Sequence, residues 1–322
     1  MQYNNLPGTN LKLSALSLGT MMFGSQTGES EALSIMDYAF EQGINFFDTV
    51  DGYNKGDSEH IVGKALKGRR EAIFLGTQVG SPMEEGSFYC GLSRRHIISA
   101  VNASLQRLNT DYIDLYSMHV PDHETKLEES LETLTNLVRQ QKVLYIGVSS
   151  FSAWLIADIL ALCDKYGFIA PVISHNVYNL ITRGAESELV PFLQKHKLGI
   201  AAYNPIAGGL LSGKHKPGIP APNTRFALQP SYYERYWSDE NFVAVDKLSK
   251  IAKDENMTLL EMALRWCVKQ DAVVTTISGV SKLEQIRQNI AALEGPPLSQ
   301  SAMDACDAVW KSLAGERYSY FR

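Results

Sequence analysis

Short apolar runs alternate with amphipathic stretches along almost the whole chain. Eight runs have the length of buried strands: Ala15–Leu18, Ile44–Phe47, Ala72–Leu75, Tyr112–Tyr116, Val143–Val148, Val172–Ser174, Gly199–Tyr203 and Val273–Ile277. The stretches between them carry apolar residues at helical spacing. They predict helices over Glu31–Glu41, Ser58–Leu66, Ser93–Leu108, Leu127–Gln140, Ala153–Tyr166, Glu188–His196, Leu259–Val268 and Leu283–Leu293. Leu127, Leu131, Leu134 and Val138 make the clearest stripe, and Gly43, Gly68 and Gly167 stand where helices stop. Met1–Leu13 reads as a hairpin turning at Pro7-Gly8-Thr9-Asn10, and Ser299–Leu313 as an extra C-terminal helix.

Eight β-then-α units with right-handed crossovers close naturally into a (β/α)8 TIM barrel. A doubly wound sheet would favour a G-x-G-x-x-G turn after its first strand. Here that turn reads Gly19-Thr20-Met21-Met22-Phe23-Gly24, which does not fit. The expectation is an α/β protein, residues 1–322 forming one barrel domain with an N-terminal β-hairpin. A count of one domain per ~150 residues would give two, but barrels use ~250 residues as one.

Composition narrows the classes of function. The 322 residues carry 30 basic and 35 acidic side chains, a formal charge of −5. That balance argues against broad nucleic-acid binding and leaves room for a local phosphate site. No uncharged apolar run reaches the ~18–20 residues of a membrane span. Met1–Gly19 lacks the basic start and apolar core of a leader peptide. The four cysteines are scattered without a C-x-x-C, so neither a disulfide framework nor a metal site is expected. A cytoplasmic location follows as an expectation.

In a barrel the chemistry gathers at the C-terminal ends of the strands. Polar residues follow the apolar runs there: Asp48-Thr49-Val50-Asp51-Gly52-Tyr53, Thr77-Gln78, Ser117-Met118-His119, Ser149-Ser150, His175-Asn176, Tyr203-Asn204 and Ser278-Gly279. One carboxylate, one phenol and one imidazole on a common mouth suit polarising a carbonyl and delivering a proton. HExxH and G-x-S-x-G are both absent, which speaks against metal hydrolysis and a serine nucleophile.

Taken in order, these segments resemble the aldo-keto reductases. The resemblance rests on Leu18-Gly19-Thr20-Met21, Gly43-Ile44-Asn45-Phe46-Phe47-Asp48-Thr49, Asp51-Gly52-Tyr53, Ser58-Glu59 with Gly63, and Asp111 to Tyr116 with His119 and Pro121-Asp122. It continues through Gly147-Val148-Ser149, Tyr203 to Lys214, and Gln285 with Asn289. The stretch from Tyr203 to Lys214, with Arg225-Phe226 and Tyr236-Trp237, is most similar to bacterial members and the aflatoxin-aldehyde-reductase branch.

The resemblance implies a catalytic tetrad of Asp, Tyr, Lys and His. It places Asp48, Tyr53 and His119, but the lysine position holds Gln78. A phenol ionises near ~10 unaided, and the family's lysine favours the phenolate. Gln78 has no charge, so Tyr53 is expected to stay a protonated phenol, able to donate a proton but poor at taking one back. Asp48 then needs a new partner, with Gln78 and water as candidates. Three readings stay open: a slow reductase of carbonyls or of a conjugated C=C bond, a cofactor-binding regulatory protein without turnover, or a glutamine introduced to trap a complex.

The resemblance further implies NADPH/NADP+ as cofactor, favoured over NADH. Gly19, Thr20, Met21 and Asp48 lie at its reactive end. Ser149, Ser150 and His175 take the positions that hold the nicotinamide amide, where relatives usually carry Ser, Asn and Gln. Tyr203 matches the aromatic stacked on the ring. Asn204, Pro205, Ile206, Ala207, Gly208 and Leu210 match the pyrophosphate loop, with Lys214 and Arg225 as nearby cations. Gly279, Ser281, Gln285, Gln288 and Asn289 match the adenosine end. The expected partner is a small-molecule carbonyl compound, with no nucleic acid and no membrane, and no oligomeric state is implied. Pocket walls are expected from Val79–Leu92 with Met83, Phe88 and Tyr89, from Lys216–Trp237, and from the tail Arg317–Arg322.

Overall fold

The computed structural model describes residues 1–81 and 90–314. Met83, Phe88, Tyr89 and the tail Arg317–Arg322 lie outside the described residues. The elements run β1 Tyr3–Asn5, β2 Lys12–Ser14, β3 Leu16–Gly19, α1 Glu29–Glu41, β4 Phe46–Asp48, α2 Asp57–Ala65, β5 Phe74–Val79, α3 Arg94–Leu108, β6 Ile113–Met118, α4 Leu127–Arg139 and β7 Val143–Ser149. They continue α5 Ala153–Tyr166, β8 Ile173–Val177, α6 Leu189–Lys195, β9 Gly199–Tyr203, α7 Arg225–Leu228, α8 Pro230–Tyr236, α9 Asp239–Asp254, α10 Leu259–Val268, β10 Val273–Gly279, α11 Leu283–Ala291 and α12 Gln300–Ala314. β3 through β10 close into an eight-stranded barrel in which β10 pairs with both β3 and β9.

Backbone proximity divides the chain into two compact units. The first comprises Met1–Asn176, Glu186–Tyr203 and Ala272–Arg287; the second comprises Val177–Ala185, Asn204–Asp271 and the chain from Gln288 onward.

In the first unit, β1 and β2 pair antiparallel with Tyr3 opposite Ser14. Their hairpin carries Leu6 and Leu13 into a buried cluster with Phe46, Phe74, Leu115, Ile173, Ala201, Val274 and Ile277. Several of these begin their strands, so the hairpin stoppers the N-terminal mouth of the barrel. Asn4 Nδ2 donates to Val274 O at 3.0 Å and Thr275 Oγ1 to Ser14 O at 2.8 Å, which locks it there. α4 shows why the outer helices dock: Leu131, Leu134 and Leu137 face inward, and Glu128 and Glu129 oppose the positive end of the helix dipole. Burying each leucine contributes ~1.5–3 kcal/mol.

In the second unit, α9 was not anticipated by the apolar pattern. Ser238 caps it by accepting from Asn241 N at 3.3 Å, and Phe242, Val245 and Leu248 make its buried stripe. α10 opens with a capping box between Thr258 and Glu261. Trp266 is fully buried against Tyr178 and Arg183. Among the described residues no helix is long and apolar enough to cross a membrane.

Candidate active site

The strands of the first unit extend further than their apolar runs. Asp48 is the last residue of β4, Thr77 and Gln78 belong to β5, Ser149 ends β7, and His175 and Asn176 lie within β8. The polar residues read as loops are therefore held by sheet hydrogen bonds, which fixes their positions. Gly76 makes room for Asp48: a Cβ there would lie 2.9 Å from the Phe46 ring and 3.2 Å from Asp48 Oδ1.

Tyr53 sits on a tightly wound turn. Asp51 N donates to Gln78 O at 3.2 Å, and Tyr53 N to Val50 O at 3.1 Å. Asn54 and Lys55 follow in left-handed conformation, with φ of 51° and 56°. The side chain of Asn54 stabilises this turn by donating to Met21 O and Phe23 O at 3.1 and 2.6 Å. Such a local restraint offsets the cost of positive φ for a non-glycine residue.

Asp48 is buried, and Gln78 Nε2 lies 3.3 Å from both of its carboxylate oxygens. The glutamine thus stands beside Asp48, as one of the candidate partners. His175 approaches the same carboxylate, with Nε2 3.3 Å from Oδ1. His119 follows β6, held by its own N–H to Val79 O at 2.8 Å, and its Nδ1 is bonded to Ser81 Oγ. The rings of Tyr53 and His119 meet edge to face at 6.3 Å. Burial pulls the His119 imidazole below its usual range, against the pull of Asp48 and with that of His175. A neutral imidazole is favoured, with one ring nitrogen to donate and one to accept. The structure therefore brings Asp48, Tyr53, Gln78, His119 and His175 together.

Ser149 is buried, while Ser150 is exposed, with Oγ 3.0 Å from Tyr203 OH and its N–H donated to His175 O. Gly19 pairs with Asp48 across β3 and β4. Thr20 donates to Asp48 O at 3.1 Å and accepts from Ser58 Oγ at 2.8 Å, tying neighbouring loops. Gln285 Oε1 accepts from Ser281 N at 2.7 Å and from Lys282 N at 3.3 Å, so its side chain closes the entry to α11.

A second buried group lies behind Tyr53 and was given no role from the sequence. Glu59 is fully buried, accepts from Thr77 Oγ1 at 2.6 Å and pairs with Arg107 Nε at 2.7 Å. Asp51 is also fully buried. Burial and the charge of Glu59 push its carboxyl up to about 7, against the Gly52 backbone N–H and Arg107. The fully buried phenol of Tyr116 is pushed well above its usual range, chiefly by burial. The signal in the sequence was the run of three acids, Asp48, Asp51 and Glu59, around one apolar strand end.

In the second unit, the segment after Asn204 is a chain of turns. Asn204, Ala207, Gly208 and Gly209 all have positive φ. A Cβ on Gly208 would come within 2.7 Å of the Tyr232 ring. Asn204 accepts from Asn179 at its carbonyl and from Tyr232 OH at Oδ1, at 2.9 and 3.2 Å. Arg225 Nη1 donates to Tyr232 OH at 3.1 Å, with the guanidinium over that ring. Tyr232 is thus the organiser of this loop, missed because nothing in the sequence links it to Asn204. Leu210 is buried and Lys214 exposed. Asn289, on α11, is buried.

An eight-stranded parallel barrel with a buried Asp and Gln beside a half-buried Tyr and His at its strand ends defines an oxidoreductase of the aldo-keto reductase type. The Aldo/keto reductase family model matches residues 15–311, and the chain belongs to that family. It is 33% identical over 330 residues to a probable voltage-gated potassium channel subunit beta of Arabidopsis thaliana, covering 99% of this chain and 100% of that protein. It is 33% identical over 324 residues to aflatoxin B1 aldehyde reductase member 2 of Rattus norvegicus, covering 95% and 87%. Among solved structures it is similar to aldo-keto reductase AKR11C1 from Bacillus halodurans in its holo form. That match has 33% identity, a TM-score of 0.81 and 97% coverage of both chains. The chain is an NAD(P)-dependent oxidoreductase of carbonyl compounds.

Proposed function

We propose that the protein reduces an aldehyde or ketone to an alcohol with NADPH, using a tetrad in which Gln78 replaces lysine. The observation that carries this reading is the convergence of Tyr53 and His119, edge to face, beside the buried Asp48–Gln78 contact. Bound there, the cofactor supplies the hydride. Tyr53 donates the proton to the developing alkoxide, an acid contribution of ~10²–10⁴-fold in rate. With the Ser81 hydroxyl donating to Nδ1, the His119 proton sits on Nε2, where it polarises the carbonyl oxygen. The buried residues fit a nicotinamide amide. The hydroxyl of Ser149, buried at the end of β7 and in register with His175, can donate to or accept from an amide that has both kinds of group.

The positive-φ loop from Asn204 to Gly209, with Arg225 and Lys214, supports phosphate binding within the second unit. We assign NADPH over NADH from these cations, and Arg225→Ala should weaken NADPH binding more than NADH binding. The four cysteines are free, in keeping with a cytoplasmic location.

Likeness to a protein named as a potassium channel beta subunit supports a second reading, a cofactor-binding regulatory protein. One experiment separates the two. Enzyme loaded with NADPH is mixed with a panel of aldehydes and ketones, and cofactor oxidation is followed in a single turnover for the wild type and Tyr53→Phe. Oxidation lost in Tyr53→Phe supports the reductase. Tight NADPH binding with no oxidation on any carbonyl selects the regulatory reading. Deuterated cofactor then locates the delivered hydride on C=O or C=C.

A further inference from the structure

Two of the departures from the family pattern, Gln78 and His175, end at one carboxylate. Gln78 Nε2 is 3.3 Å from each Asp48 oxygen, and His175 Nε2 is 3.3 Å from Oδ1. We propose that His175 is a positioning residue for Asp48: its Nε2 carries a proton and restrains the carboxylate from the β8 side, while Gln78 restrains it from β5. This rests on the reading of Asp48, Tyr53 and His119 as the reducing site.

The argument starts from what a buried carboxylate needs. Ionised, it only accepts, and has about four lone-pair sites to satisfy. The Gln78 amide offers one nitrogen at an equal and rather long distance from both oxygens, longer than the ~2.7–3.2 Å of a well-formed N–H···O bond. A single shared donor leaves the carboxylate free to swing. His175 is the second nitrogen at hand, and only 1% of its surface is exposed. Its Nε2 makes no aligned hydrogen bond, so its closeness to Asp48 is an electrostatic contact.

The identity of that contact depends on one proton. A bare Nε2 would set its lone pair against the carboxylate oxygen, with both groups buried. A proton on Nε2 turns this repulsion into attraction. The competing site for the proton is Nδ1, which makes a long hydrogen bond of 3.4 Å with Val148 O, an acceptor only. A carboxylate is a stronger acceptor than a backbone carbonyl. The nitrogen facing Asp48 therefore has the stronger claim on the proton. The consequence reaches Tyr53 through Asp48, because a carboxylate held from two sides stays fixed while the phenol gives up its proton.

Four proteins test this: the wild type, His175→Gln, Gln78→Lys, and the double variant. Turnover is measured at saturating NADPH, and NADPH affinity separately by fluorescence. His175→Gln should lower kcat about tenfold and leave the NADPH Kd within about twofold. Gln78→Lys in the His175→Gln background should restore kcat, because one donor chain on β5 then does the work of both. Weaker NADPH binding with unchanged kcat would reduce His175 to a cofactor ligand and overturn the proposal. A lost kcat that lysine does not rescue would overturn it as well.

Nitrogen-15 NMR of the histidine rings in the cofactor-free wild type needs no turnover. A proton on Nε2 of His175 that responds to Asp48→Asn is expected, and a bare Nε2 in the wild type sinks the proposal. If Nε2 carries its proton and no carbonyl is ever reduced, the reductase reading fails while the Asp48–His175 pairing stands.

Discussion

Asp51 offers a quantitative test of how the buried acids shape this protein. Its carboxyl is fully buried, no aligned hydrogen bond reaches either oxygen, and it is pushed from the usual 3.8 up to about 7. At ~1.4 kcal/mol per pH unit, that rise of about three units corresponds to about 4 kcal/mol between the charged and neutral forms. The sign follows from proton counts. Between 3.8 and about 7 the folded chain binds the Asp51 proton and the unfolded chain has lost it. Stability therefore falls as pH rises through this window and levels off above it. Asp51→Asn is neutral throughout and should remove this slope. Urea unfolding of the wild type and the variant, followed by circular dichroism at mildly acidic and mildly alkaline pH, measures the effect. The variant's advantage should grow by about 3 kcal/mol from the acidic to the alkaline condition, given that part of the cost is already present at the acidic one. A difference independent of pH would refute the reasoning. It would mean that Asp51 ionises freely in the fold, or that Glu59 takes up the proton in its place.

Three further outcomes are expected. Glu59→Gln leaves Arg107 without its buried partner and should cost about 3–5 kcal/mol in chemical denaturation, while lowering the pH at which Asp51 ionises. Leu131→Ala on α4 removes a fully buried side chain and should cost about 2–5 kcal/mol by the same measurement. Gly208→Ala adds a methyl within 2.7 Å of the Tyr232 ring at φ 68°, and should weaken NADPH binding in a titration more than it lowers the melting temperature.

Much of this architecture was legible in the sequence, because a parallel strand buried on both faces is a continuous apolar run, and eight such runs are hard to confuse with anything else. The ends of the strands were not. Ala72–Leu75 marks the expected third strand, yet β5 runs Phe74–Val79, because Thr77 and Gln78 are buried polar residues, turned to Glu59 and to Asp48 on opposite faces, and so imitate a loop. The same displacement carried Ser149 and His175 from loops onto β7 and β8. α9 was hidden by its many charges, although the Ser238 cap and the Asp239-Glu240 first turn were there to be read. Contacts such as His175 with Asp48 and Glu59 with Arg107 join distant strands and helices. No local pattern encodes them.

The stoppered barrel end has a consequence for the timing of synthesis. Leu6 and Leu13 are made early, but the hydrogen bond from Asn4 waits for Val274, 270 residues later. At ~5–20 residues per second, that delay is about 15–50 s on the ribosome. During that interval the hairpin leucines lack Val274 and Ile277, and the β3 edge that pairs with β10 stays open. Variants that weaken β10 should therefore reveal themselves first as losses in soluble yield during expression, before they register in the activity of the molecules that do fold.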